Sequence, residues 1–211
     1  MRTNHFFAQA LSFILQPLLM PFYSVGMLFF YTNLAEIYPD YWLRFMTPFL
    51  ILGFLTPVLF IFVLIKLKIV KDFALTERRD RILPYLIACI SYLILAYYFY
   101  YLGHIYFWML GIFAVPVIIL IFAFLTNLFY GISPHMLGIG GLLGGVMSVC
   151  FNVKVSNPFI LFVLLFVLAG LLAVARLQLK RDTPAQVYSG FIAGFTLAYL
   201  CVWLSAGYTW M

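Results

Sequence analysis

Long apolar runs separated by short polar breaks dominate the chain. They fall at about residues 6–32, 45–67, 82–102, 106–128, 135–152, 157–176 and 184–206. Crossing about 30 Å of hydrocarbon takes a helix of about 20 residues, which these runs approach or exceed. A barrel strand needs only about ten residues and alternates apolar with polar positions, so the runs predict helices. A helix also satisfies its own backbone groups where no water is present. The pattern therefore predicts an all-α, polytopic membrane bundle of about seven transmembrane helices. Residues 1–211 read as a single transmembrane domain, with no second domain, low-complexity tract or internal repeat. The first run is too long for a signal peptide and no small-residue cleavage site follows it, so it is expected to stay as the first span.

Proline and glycine refine this picture. Pro17, Pro21, Pro57 and Pro116 lie within the runs and are expected to bend them. The fifth run is the shortest and carries Gly138, Gly140, Gly141, Gly144 and Gly145; the seventh carries Gly190 and Gly194. Small residues four apart let two helix backbones approach, so these helices are expected to pack on neighbours rather than face lipid.

Composition excludes a soluble globule. Hydrophobic residues make up 66% and charged residues 9% of the chain, and the mean hydropathy is +1.12; soluble domains are about a quarter charged. A net charge of +6 would suggest nucleic acid in a soluble protein, but in a bundle the loops that hold the charge matter more. One side receives Arg2, Lys66, Lys68, Lys71, Arg78, Arg79, Arg81, Arg176, Lys180 and Arg181; the other receives only Arg44 and Lys154. This asymmetry predicts a cytoplasmic N-terminus and a C-terminus across the cell (inner or plasma) membrane. Trp42, Trp108, Trp203 and Trp210 fall at or near the opposite interface, which agrees. Cys89, Cys150 and Cys201 read as small buried hydrophobes, and His5 and His104 stand alone. With no zinc spacing, P-loop or dinucleotide fingerprint, no metal, cofactor or nucleic-acid partner is expected. The absence of acidic residues inside the runs argues against a proton-coupled transporter.

Candidate chemistry lies in two short segments on the basic side. In Ser133-Pro134-His135, Ser133 suits an N-cap and Pro134 a first helical position. In Asp182-Thr183-Pro184-Ala185-Gln186, Thr183 and Gln186 suit a capping box. Two helix N-termini would then open on one face, and their free amides favour an anion. Arg176 adds a bidentate donor suited to phosphate or carboxylate. The natural partner is an anionic lipid headgroup or lipid phosphate. The plainer readings are a snorkelling Arg176, a polar His135 in a first helical turn, and Asp182 paired with Lys180 or Arg181.

These residues resemble the type-2 phosphatidic acid phosphatase superfamily of membrane phosphatases. Its motifs are Lys-x6-Arg-Pro, Pro-Ser-Gly-His and Ser-Arg-x5-His-x3-Asp. Here Ala175-Arg176, five residues, Asp182, three residues, Gln186 matches the spacing of the third. Ser133-Pro134-His135, followed by Gly138 and Gly140-Gly141, resembles the second. Lys71, six residues, Arg78 has the spacing of the first, with Arg79 where proline belongs. The resemblance covers roughly residues 120–200. It implies a phosphatase-like helical core acting on a lipid phosphate or pyrophosphate, with phosphate held by Arg176, Lys71, Arg78 and Ser133. His135 would be the general acid, Asp182 would stand at the nucleophile position and Gln186 at the orienting one. Because the family has histidine and aspartate there, catalysis by the family's route is expected to be impaired. The alternative is a non-catalytic lipid-binding protein or a structural subunit of a membrane-protein complex.

Overall fold

The computed structural model describes residues 2–31, 42–71, 75, 77–101, 107–152 and 158–207. Lys154, His104 and Trp210, named in the sequence analysis, lie outside the described residues. The described residues form helices and no strand. Seven helical segments are long and apolar enough to cross a membrane: His5–Leu28, Leu43–Lys66, Arg78–Tyr101, Met109–Phe129, Pro134–Asn152, Phe159–Gln178 and Pro184–Ala206. The all-α, polytopic reading of the apolar runs is therefore borne out. Large apolar side chains such as Phe129, Ile160, Leu164, Val174, Ile192 and Leu204 stand exposed on the outside, the surface that hydrocarbon rather than water solvates.

The first run is two helices, α1 (Arg2–Ile14) and α2 (Met20–Tyr31), joined through a 3-10 turn at Pro17–Leu19. Pro17 has no N–H to give the preceding turn, so the α1 ladder ends before it. The freed carbonyls find side chains instead. Tyr23 Oη donates to Ile14 O at 2.8 Å; in the turn that follows, Leu18 O accepts from Tyr92 Oη at 3.3 Å. The second run holds two π-helical segments, Trp42–Met46 and Phe49–Leu55, before α3 (Thr56–Lys66). The widened turn is tied by Thr56, whose N–H and Oγ1 both donate to Ile51 O. It seats Phe45 and Phe49 in an aromatic stack with Phe99 and Phe113, whose own ring centroids lie 4.3 Å apart.

The remaining spans are α4 (Arg78–Tyr101), α5 (Phe107–Phe129), α6 (Pro134–Asn152), α7 (Phe159–Gln178) and α8 (Pro184–Gly207). Pro116 lies inside α5 as expected, and Pro84 lies inside α4 as well. The tightest pairing is α6 against α8. A Cβ added at Gly140 would sit 2.3 Å from Phe191 O, one at Gly144 2.2 Å from Phe195 O, and one at Gly194 2.1 Å from Leu137 O. The two helices thus meet backbone to backbone, as the four-residue glycine spacing predicts. This contact brings the first turns of α6 and α8 together at one end of the bundle.

Candidate functional site

The site begins with how α7 ends. Lys180 adopts the left-handed conformation, with φ 52°. Lys180 N–H donates to Leu177 O and Arg181 N–H to Arg176 O, the paired bonds of a Schellman C-cap. The chain reverses there and carries Asp182 back beside the last turn of α7. Arg176 Nε donates to Asp182 Oδ2 at 2.7 Å, and the two side chains are 11% and 2% exposed. The left-handed turn makes Arg176 the ion-pair partner of Asp182, where adjacency in the chain pointed to Lys180 or Arg181.

The starts of α6 and α8 complete this arrangement. Ser133, fully buried, donates from Oγ to the same Asp182 oxygen at 2.8 Å. Its Oγ also accepts from Met136 N–H at 3.4 Å, so Ser133 caps α6 as the sequence suggests. Thr183 N–H donates to Gln186 Oε1 at 2.9 Å, and Gln186 N–H donates to Thr183 Oγ1 at 3.4 Å. This is the reciprocal capping box. Ser133 N–H reaches Gln186 O at 3.4 Å, joining the two caps.

His135, in the first turn of α6, meets Ser12 O through Nε2 at 3.1 Å. A carbonyl only accepts, so Nε2 carries the proton and Nδ1 is the acceptor. Ser12 lies in the last turn of α1, where the break at Pro17 leaves carbonyls without helical partners. The proline break therefore supplies the group that orients the imidazole. Buried Nδ1 has no hydrogen-bond partner among the described residues. Its charged neighbours are Arg176, Asp182 and Arg81.

Arg81 and Tyr85 were not among the expected site residues, and both belong to this cluster. Arg81 is 9% exposed and donates to Leu75 O at 2.8 Å and Ile132 O at 3.3 Å. Tyr85 is buried one turn further along α4; its hydroxyl lies against Arg81 without a hydrogen bond of good geometry, and Asp182 is its other charged neighbour. The signal that could have found them is the i, i+4 spacing of an arginine and a tyrosine on one helix face. Of the first-motif residues, Arg78 reaches only the rim, donating to Phe129 O at 3.2 Å with its chain beside Gly131 and Gln186. Lys71 is exposed, ion-paired with Glu77, and outside the buried cluster.

Below the cluster, towards the middle of the bundle, lies an apolar cavity. Its volume is about 80 Å³, and its walls come from α2 and the 3-10 turn, the π segment, α4, α5 and α6. Tyr85 and Pro134 border both the cavity and the polar cluster. Two guanidinium groups and one carboxylate are the buried charges among the described residues. Among the described residues the buried cations therefore outnumber the buried carboxylate, a balance that favours an anion as ligand. No three His, Cys, Asp or Glu side chains gather as a metal-ligand set among the described residues.

Comparison with protein-family models, with curated proteins and with solved structures gave no match for this chain. The functional reading therefore rests on the residues themselves.

Proposed function

We propose that this protein is a phosphatidic-acid-phosphatase-like membrane protein that holds the phosphate of an anionic lipid where Arg81, His135 and Arg176 meet. One observation carries the reading: a buried, cation-rich cluster drawn from α4, α6, α7 and the α8 cap stands over an apolar cavity. The spacing Arg176, Asp182, Gln186 and the adjacent Ser133-Pro134-His135 support the family assignment. Guanidinium groups and a first-turn amide are the donors that phosphate oxygens accept from.

Within this reading the site binds without hydrolysing by the family's route. That route needs a free nucleophile at position 182 and a carboxylate at position 186 to orient it. Asp182 Oδ2 already accepts from both Ser133 and Arg176, and the Gln186 amide is engaged in capping. A carboxylate held this way is a poor nucleophile. It acts instead as a fixed internal anion that positions Arg176.

The basic asymmetry supports a cytoplasmic site, with the N-terminus on that side of the cell membrane and the C-terminus opposite. A reporter fused after Met211 should then read as non-cytoplasmic. The binding assignment is tested with purified protein and micelles of phosphatidic acid or a polyprenyl pyrophosphate. Retention of either lipid, at least tenfold weaker in a folded Arg81→Gln variant, with no phosphate released, is the expected result. Phosphate release that Asp182→Asn abolishes would overturn the non-catalytic assignment, and failure to bind either lipid would overturn the whole reading.

A further inference from the structure

We infer that the apolar cavity is a binding site for one hydrocarbon chain of the phosphate-headed lipid, drawn from the leaflet into the bundle. The identity of the head rests on the reading above; the chain site rests on the cavity itself. Its wall is built from apolar side chains, with Ser24, Tyr85 and Tyr92 as the hydroxyl-bearing exceptions. Tyr92 already donates to Leu18 O, and Tyr85 stands at the cluster end. Buried water typically makes about three hydrogen bonds, and this wall provides few partners. Hydrocarbon is the occupant that the lining favours.

The depth of the cavity matches a lipid chain. The wall runs from Pro134 to Gly145 on α6 and from Ile112 to Ala123 on α5. Eleven residue steps on a helix rise about 16 Å. One leaflet is half of a hydrocarbon core of about 30 Å. A lipid with its phosphate at the Arg81 end would therefore lay one chain along the cavity to the bilayer midplane. Tyr85 and Pro134, shared by cavity and cluster, mark where head and chain would join.

The wall is also built to resist collapse. Pro17 and Pro21 shape the turn and start of α2, and Pro116 lies inside α5 facing the same space. The wall closes by contact near the head: a Cβ on Gly138 would stand 3.2 Å from Met20 Cγ and 3.4 Å from Pro17 Cα. Ser24 lines the cavity and is 9% exposed. Ser24→Leu adds hydrocarbon to that space and removes one of its few polar atoms.

The test is photolabelling of the purified full chain in bilayers. The probes are a phosphatidic acid with a diazirine at the end of one acyl chain, a polyprenyl phosphate bearing the same group, and a diazirine diacylglycerol without phosphate. The expected result is labelling of Ile112, Val115 or Tyr92 by a phosphate-headed probe, competed by excess unlabelled lipid. The stronger of the two phosphate probes identifies the chain as acyl or isoprenoid. Labelling of the cavity should fall at least tenfold in Ser24→Leu, while outer positions such as Leu164 and Ile192 label as before. Labelling confined to the outer positions would overturn the inference, and a tenfold loss of lipid retention in Arg81→Gln would then still uphold the head site. Equal cavity labelling by diacylglycerol, unchanged in Arg81→Gln, would uphold the chain site and overturn the phosphate reading. Should Ser24→Leu not fold, the labelling map of the unaltered chain decides the question alone.

Discussion

The Arg176–Asp182 pair gives the sharpest test of the architecture, because removing one partner strands the other. Both side chains are almost fully enclosed, at 11% and 2% exposure, and the contact is 2.7 Å. Breaking such a pair from one side costs about 3–5 kcal/mol, since an uncompensated charge stays buried. Asp182→Leu also leaves the Ser133 hydroxyl without its acceptor, which adds about 1 kcal/mol. Arg176→Met should lie at the lower end of the range, because its apolar stem is kept and Asp182 retains the Ser133 bond.

The double variant Arg176→Met, Asp182→Leu removes both charges and fills the space with hydrocarbon. Replacing a whole buried ion pair by apolar side chains is often neutral or stabilising by about 1–4 kcal/mol. It should therefore be much less destabilised than the sum of the single variants, with a coupling energy of about 2 kcal/mol or more, near the upper part of the range for contacting residues. The assay is reversible unfolding in bicelles by titration with a denaturing detergent, followed by tryptophan fluorescence. Additive losses in the double variant would show that the two side chains do not act as a pair, and the site geometry built on them would fail.

Other outcomes follow from the same geometry. Gly194→Leu places a Cβ 2.1 Å from Leu137 O and should cost at least about 3 kcal/mol, the upper range for overpacking; Gly145→Ala, whose nearest contact is Ala198 Cβ at 3.9 Å, should fall within about 1 kcal/mol of the unaltered chain in the same titration. Equal stability of the two would refute backbone-to-backbone packing of α6 on α8. Lys180→Gly should stabilise by about 0.5–1 kcal/mol, because it relieves a left-handed residue while adding freedom to the unfolded chain. Lys180→Val should instead destabilise and weaken the Arg176–Asp182 coupling; coupling that is unchanged in a folded Lys180→Val chain would disconnect the C-cap from the site. Asp182→His with Gln186→Asp, which rebuilds the family's nucleophile pair, should produce measurable phosphate release from phosphatidic acid. Continued silence of that folded variant, with lipid binding retained, would count against the phosphatase-like pocket.

The parts of this molecule that were legible in its sequence are those with local causes. Hydrocarbon thickness sets the length of each apolar run, so the seven spans could be read directly. Caps use neighbours within one turn, so Ser133, Thr183 and Gln186 were placed with their structural roles. Glycine spacing on α6 and α8 is periodic and needs no knowledge of topology. Arg81 and Tyr85 were missed because their importance depends on α4 lying against the turn between α5 and α6, about fifty residues later in the chain. The first-motif spacing drew attention to Lys71 and Arg78, whereas the residue facing the buried cluster is three positions beyond Arg78. The π-helical turn at Phe49–Leu55 carries no composition that separates it from an α-helix. Its cause is the tertiary seat it gives Phe49 beside Phe99 and Phe113.

A common device links the broken first span to the charge of the site. Arg81 is held by Leu75 O and Ile132 O, Arg78 by Phe129 O, and His135 by Ser12 O. Each acceptor is a main-chain carbonyl in a turn or at the end of a helix, where the helical ladder leaves it available. The partial negative charge of such carbonyls orients a cation but cannot cancel it. Asp182 is the buried carboxylate among the described residues, and its Oδ2 is shared between Arg176 and Ser133. Arg176 is thus positioned by a carboxylate, whereas Arg81 and Arg78 are oriented by main-chain carbonyls. A phosphate arriving from the membrane surface would meet donors already aligned, and hydrocarbon attached to it would find the apolar cavity directly behind them. On this argument the proline break in the first span does more than bend a helix. It ends α1 where Ser12 O can hold His135 Nε2, and it places Pro17 and Pro21 in the wall of the cavity.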